Sequence, residues 1–114
     1  MPMKHVFTLA LTGLLLLAVA GSVQAQQNYY VDVTNQTGFT IFYLYVSPAD
    51  AKDWEEDVLG SEVMLHGQTR RVTLNNYFSP IFDIRLVDED GDTYTFWNVD
   101  VSLRDIVVTL ADLD

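Results

Sequence analysis

Apolar residues in this chain recur at every second position, in short runs broken by Gly, Pro, Asn and Asp. Residues 81–88, Ile-Phe-Asp-Ile-Arg-Leu-Val-Asp, set Phe82, Ile84 and Leu86 against Asp83 and Arg85. Successive side chains of a strand point to opposite faces, so this run predicts a half-buried strand. Residues 28–35 repeat the pattern: Tyr29, Val31 and Val33 face one way, Tyr30, Asp32 and Thr34 the other. Residues 70–74, 93–99 and 106–110 add three more such runs. Asp90-Gly91 is a two-residue hairpin signal, and His66-Gly67 and Gly38 mark further turns. About seven short strands at this spacing predict an all-β fold, a small antiparallel β-sandwich of immunoglobulin-like kind. Its expected core is Val31, Val33, Ile41, Leu44, Val72, Phe82, Ile84, Leu86, Phe96 and Val108.

Residues 39–46, Phe-Thr-Ile-Phe-Tyr-Leu-Tyr-Val, are apolar on both faces: Phe39, Ile41, Tyr43 and Tyr45 on one, Phe42, Leu44 and Val46 on the other. That predicts a central strand. A short helix is expected after it. Ser47 suits a helix cap, Pro48 the first helical position, and Asp50 completes a capping-box-like spacing. Ala51, Trp54 and Val58 then share one face, while Glu55, Glu56 and Asp57 oppose the helix dipole and end the helix before Gly60. Trp54 reads as a lid pinning this helix over the open end of the sheet; the alternative is an exposed binding tryptophan.

The first 25 residues predict a cleaved secretory signal. Lys4 and His5 precede an apolar run, and Val23 and Ala25 place a cut before Gln26. Residues 26–114 are then one domain, with no later membrane span. Removing Lys4 takes the formal charge from −10 to about −11. So acidic a surface repels phosphate backbones and anionic lipid heads, which argues against nucleic acid and favours a basic partner. The chain has no cysteine, which removes thiol catalysis and cysteine metal sites. His66 is the single histidine after the signal, too few for a multi-histidine metal site.

The segments Asn35-Gln-Thr-Gly-Phe-Thr-Ile41, Leu44-Tyr-Val-Ser-Pro48, Asp53-Trp-Glu-Glu-Asp-Val-Leu-Gly60 and Asp83-Ile-Arg85 resemble a family of small exported bacterial domains of unknown function. Its pattern is N-x-T-G-[YF]-T-I, L-Y-V-S-P, D-W-x-x-D-V-L-G and D-[LI]-[RK]. The resemblance spans nearly all of residues 26–114 and is most specific over residues 44–60. It implies a fold and no mechanism. Family members often carry the label argininosuccinate lyase; that enzyme is several times longer, largely helical, and has a Gly-Ser-Ser loop absent here. Many members also have two cysteines where this chain has Pro80 and Ser102, so a disulfide of that family is impossible here.

Candidate chemistries are thin. Residues 88–92 hold four carboxylates, but glycine and glutamate do not fall where a calcium loop needs them: Thr93 and Val99 stand there. A solvated hairpin turn is expected, with no metal and no cofactor. Residues 53–57 could offer a carboxylate pair, yet read as the wet face of the short helix. Ser47, Ser61, Ser79 and Ser102 lie in no nucleophile elbow. His66 is expected as a solvated turn residue. Asn35-Gln-Thr37 fits a glycosylation sequon and reads as turn chemistry. The aromatics Tyr29, Tyr30, Tyr43, Tyr45, Tyr77, Phe78 and Trp97 exceed what a small core must bury. Tyr43, Tyr45, Asp53, Trp54, Glu55, Glu56 and Asp57 therefore form the candidate interaction surface. The function expected is that of an exported, non-enzymatic interaction module of the bacterial cell envelope, binding an envelope protein. The alternative is a small-ligand or glycan binder using an aromatic face; an enzyme stands far behind.

Overall fold

The computed structural model describes residues 25–114; the expected signal segment lies outside them except for Ala25. Among the described residues the chain is all-β. The strands are β1 (Gln27–Gln36), β2 (Ile41–Pro48), β3 (Thr69–Tyr77), β4 (Ile81–Asp88), β5 (Thr93–Asp100) and β6 (Ile106–Thr109), followed by a 3-10 turn at Leu110–Asp112. They form two three-stranded sheets, ordered β3-β1-β6 and β2-β4-β5. All pairings are antiparallel except β1 with β6, which is parallel and begins at Val33 opposite Ile106.

Alternation sets the core. Val31, Val33, Val72, Ile106 and Val108 from one sheet join Ile41, Leu44, Phe82, Ile84, Leu86 and Tyr94 from the other in a single buried cluster. Every core residue expected from sequence is buried except Phe96, which is partly so. Ile84 is fully enclosed. Ile84→Val is expected to lower stability by about 1 kcal/mol, the loss of one buried methylene with partial relaxation. Urea denaturation measures this.

Three expectations need correction. The described residues contain six strands, not about seven: residues 62–65 make only a bridge, Met64 to Ile41. β2 is an edge strand, and β4 is the central one. Its pairing shifts between Ile41 and Tyr43, which puts Ile41, Leu44 and Val46 inward together and leaves Phe42, Tyr43 and Tyr45 outside. The second apolar face thus had a cause other than a covering layer.

Third, no helix follows β2. Pro48 belongs to the strand, and residues 49–68 form an irregular crossover. Polar groups read as starting or ending that helix are used otherwise. Ser47 Oγ accepts from the Glu55 N–H at 2.9 Å. Asp57 Oδ1 accepts from Leu44 N–H at 2.9 Å and Leu59 N–H at 3.1 Å. Val58 N–H donates to the Leu44 carbonyl at 2.7 Å. A carboxylate that bonds its own neighbouring backbone competes directly with a helix. The crossover therefore caps the β2 edge, with Leu59 and Met64 as its buried anchors.

Two polar knots hold the turns at one end. Asn35 is fully buried, and its amide is saturated. Nδ2 donates to the carbonyls of Phe39 (2.7 Å) and Met64 (3.1 Å), while Oδ1 accepts from Thr37 N–H (3.0 Å) and Thr37 Oγ1 (2.7 Å). The Asn-x-Thr sequence is thus turn chemistry, its amide enclosed. His66 is solvent-exposed in its turn, as expected, and its Nδ1 also accepts from Gly38 N–H at 3.0 Å, so the ring joins two loops. The second knot is Asp88. Its Oδ1 accepts from the N–H groups of Asp90 and Asp92, both at 3.0 Å, and its Oδ2 from the Tyr94 hydroxyl at 2.9 Å. Gly91, at φ +81°, lets the chain reverse. Asp88 was expected in a solvated turn but is 2% exposed.

Candidate functional site

The outer face of the β2-β4-β5 sheet carries a continuous strip of aromatic rings. Tyr43 and Tyr45 project from β2 with ring centres 6.4 Å apart and planes within 11°. Trp54, from the crossover, lies 6.2 Å beyond Tyr45. Trp97, on β5, lies 5.8 Å beyond Trp54. Trp97 is 61% exposed and Tyr43 46%. Four aromatics in series on an open sheet face are uncommon, because large aromatics normally repay their exposure by burial.

Arg85 on β4 packs against two rings of the strip. Its guanidinium carbon is 4.9 Å from the Trp54 ring centre and 5.9 Å from that of Trp97. Both distances lie within the range where a ring quadrupole attracts a cation. Arg85 Nε also donates to Thr95 Oγ1 at 3.0 Å. Thr93 and Thr95 hydroxyls donate in turn to Asp114 Oδ2, at 2.7 and 2.5 Å. Burial pushes the Asp114 carboxyl up, but the hydroxyl bonds from Thr95 and Thr93, a backbone bond and the charge of Arg85 outweigh it and hold it below the usual carboxylate range. Trp54 and Trp97 thus contact a polar network that is itself held in place.

A bulge sets the angle of Trp97. Phe82 pairs with Val99 and Ile84 with Phe96, so Trp97 and Asn98 together oppose Asp83. Asn98 sits at φ +52°, and its N–H donates to Asp83 Oδ1 at 2.8 Å. The extra residue re-aims the side chain before it, a recurring use of bulges beside functional surfaces. It brings Trp97 and Asp83 to one cleft of about 170 Å³, lined also by Ser47, Pro48, Ala51, Lys52, Asp53 and Trp54.

The structure divides the residues singled out from sequence. Tyr43, Tyr45 and Trp54 come together in the strip, and Asp53 lines the adjoining cleft. Glu55 and Glu56 lie elsewhere, in a groove between the crossover and β3 beside Arg71 and Tyr77. Asp57 is half-buried and bonded to backbone, so it is a structural brace instead of a wet acid. Trp54 is no helix lid: it lies across the sheet face, half-exposed, between Tyr45 and Trp97. Trp97, Arg85 and Asp83 were not assigned to the surface from sequence. The alternation already put Asp83 and Arg85 outward, and counting back across the hairpin would have set Thr95 and Trp97 beside them.

The remaining aromatics scatter. Tyr77 meets Phe82 edge-on at 5.0 Å. Tyr30 lies under Arg71, 4.1 Å away on the other sheet, and Arg71 pairs with Asp32 through two bonds of 2.9 and 3.0 Å. That bond, more than charge alone, holds the Asp32 carboxyl below its ordinary range.

Asp88, Asp90 and Asp92 bring carboxylate oxygens within 4.8 Å of one another. Both Asp88 oxygens already accept protein hydrogen bonds, so the cluster is organised as a turn. No protein-family model, curated protein or solved structure matches the chain.

Proposed function

We propose that this chain is an exported, non-enzymatic protein-binding module of the bacterial cell envelope, built as an immunoglobulin-like β-sandwich and belonging to the small-domain family whose motifs it shares. The observation that carries the reading is the exposed strip Tyr43–Tyr45–Trp54–Trp97 on one sheet face. Tyr and Trp are the side chains that most often anchor protein interfaces, since they offer large contact area for few rotatable bonds. The cleft beside the strip, about 170 Å³, is smaller than the roughly 300–1,000 Å³ of a typical small-molecule site. The single histidine of the described residues has one ring nitrogen engaged by a backbone N–H, which gives acid–base catalysis little support.

The test is affinity capture from envelope extract with wild-type protein and with Trp97→Ala as paired baits. Trp97 is mostly exposed, so the variant should melt within about 1 kcal/mol of wild type. A partner held by wild type and lost by Trp97→Ala is the expected result. A partner held equally by both, or oligosaccharide that quenches tryptophan fluorescence while no protein is captured, overturns it, the second in favour of a glycan surface.

A further inference from the structure

We propose that the cleft between Trp54 and Trp97 receives one basic side chain, a lysine ammonium or an arginine guanidinium, from the protein that docks on this face; the inference rests on reading that face as a protein-binding surface. Size comes first. At about 170 Å³ the cleft suits a single extended side chain rather than a ligand of several rings. Its walls come next. Trp54 and Trp97 supply indoles, and Asp53 and Asp83 supply carboxylates. Aromatic faces with a carboxylate alongside form the chemistry that selects a cation on an apolar stem, because the stem is desolvated against the rings while charge meets charge.

Asp83 is the specific element. Its Oδ1 accepts from Asn98 N–H, which fixes the carboxylate in place. Its Oδ2 has no hydrogen-bond donor among the described residues, and Asp83 takes part in no ion pair there. Arg85 neighbours it on β4 but does not line the cleft. That guanidinium lies instead over the same two indoles, so these rings already hold one cation from within the chain. Lys52 is the one basic residue lining the cleft; it is exposed and makes no ion pair among the described residues. The formal charge of −10 over the chain draws basic partners towards the face and speeds their encounter.

The chain has only two tryptophans, Trp54 and Trp97, so the indole N–H resonances report on this cleft and nothing else. The experiment titrates wild-type protein with Nα-acetyl-lysine methylamide and Nα-acetyl-arginine methylamide, and with the norleucine counterpart as uncharged control. Both indole signals should shift saturably with the cationic probes, and norleucine should bind at least about tenfold more weakly. Asp83→Asn keeps an acceptor for Asn98 N–H, so the bulge is retained, yet it should weaken the cationic probes on the order of tenfold. Equal binding of norleucine, absent shifts, or an unchanged Asp83→Asn affinity each overturns the proposal, and the probe comparison on wild-type protein needs no variant. The two readings separate cleanly. If Trp97→Ala loses the envelope partner while Asp83→Asn keeps it and the cleft ignores cations, the cleft proposal fails and the surface stands.

Discussion

Replacing Asn35 by Ala is expected to lower stability by about 3–4 kcal/mol. The amide satisfies four partners in a fully buried site, drawn from two separate loops. Alanine leaves the Thr37 N–H without a partner, and the carbonyls of Phe39 and Met64 each drop to one remaining donor, Thr37 Oγ1 at 3.2 Å and Ile41 N–H at 2.8 Å. Each stranded buried group costs about 1–3 kcal/mol, with entering water recovering part. Domains of this size hold about 5–15 kcal/mol in all, so the variant should melt well below wild type. Asn35→Asp sharpens the test. An ionised carboxylate there would face two carbonyl oxygens, so its folded pKa would rise above the unfolded value. Stability gained from the neutral acid is present at low pH and lost as pH climbs through that raised pKa. The deficit of Asn35→Asp against wild type should therefore shrink from pH 7 to pH 3. A deficit independent of pH, or an alanine variant within 1 kcal/mol of wild type, contradicts the assignment.

Asp88→Ala is expected to cost about 3–4 kcal/mol, because one buried carboxylate organises two backbone N–H groups and the Tyr94 hydroxyl. A pH signature accompanies it. Burial first, then the bond to Asp88 and its charge, push the Tyr94 hydroxyl from 10.0 up to about 12. The folded value is the higher one. The contribution of the neutral phenol is thus complete below the unfolded pKa of 10.0 and disappears as pH rises through about 12. Wild-type protein should lose about 1–2 kcal/mol over that window, solvent near the turn screening the rest. Tyr94→Phe should remove this loss while costing about 2 kcal/mol at neutral pH, since Asp88 Oδ2 is left unpaired. Denaturant midpoints at pH 8, 10 and 11.5 check both statements. A Tyr94→Phe variant with the wild-type alkaline profile would falsify the linkage.

Strand positions were legible because period two is a local signal. Ile81–Asp88 is bounded in the fold as the alternation bounds it. What failed were inferences that needed a tertiary partner. Apolar residues on both faces of β2 suggested a central strand, but an exposed aromatic strip leaves the same composition as a covering layer. Ser47, Pro48 and Asp50 fit a helix start, yet nothing local shows that Ser47 Oγ will accept from Glu55 N–H or Asp57 from Leu44 N–H. Of the candidate site, Tyr43, Tyr45, Trp54 and Asp53 were found from composition. Trp97 and Asp83 depend on a bulge whose left-handed residue is an asparagine, and asparagine announces that conformation less plainly than glycine. The two knots were hidden for the same reason: Asn35 and Asp88 look like turn residues, and only long-range closure buries them.

The pairing of β1 with β6 governs how the molecule can assemble. Val33 meets Ile106, so strands from opposite ends of the described chain must find each other before that sheet is complete. A chain emerging N-terminus first keeps one flank of β1 bare until the β6 residues arrive, and the loop to be closed is nearly the whole domain. Loop closure that long makes for slow, late sheet completion. Until then the β1 flank is an open edge able to pair with any strand nearby. Refolding should accordingly run faster in a circular permutant whose new ends fall between β3 and β4, since that rearrangement brings β6 and β1 together in sequence.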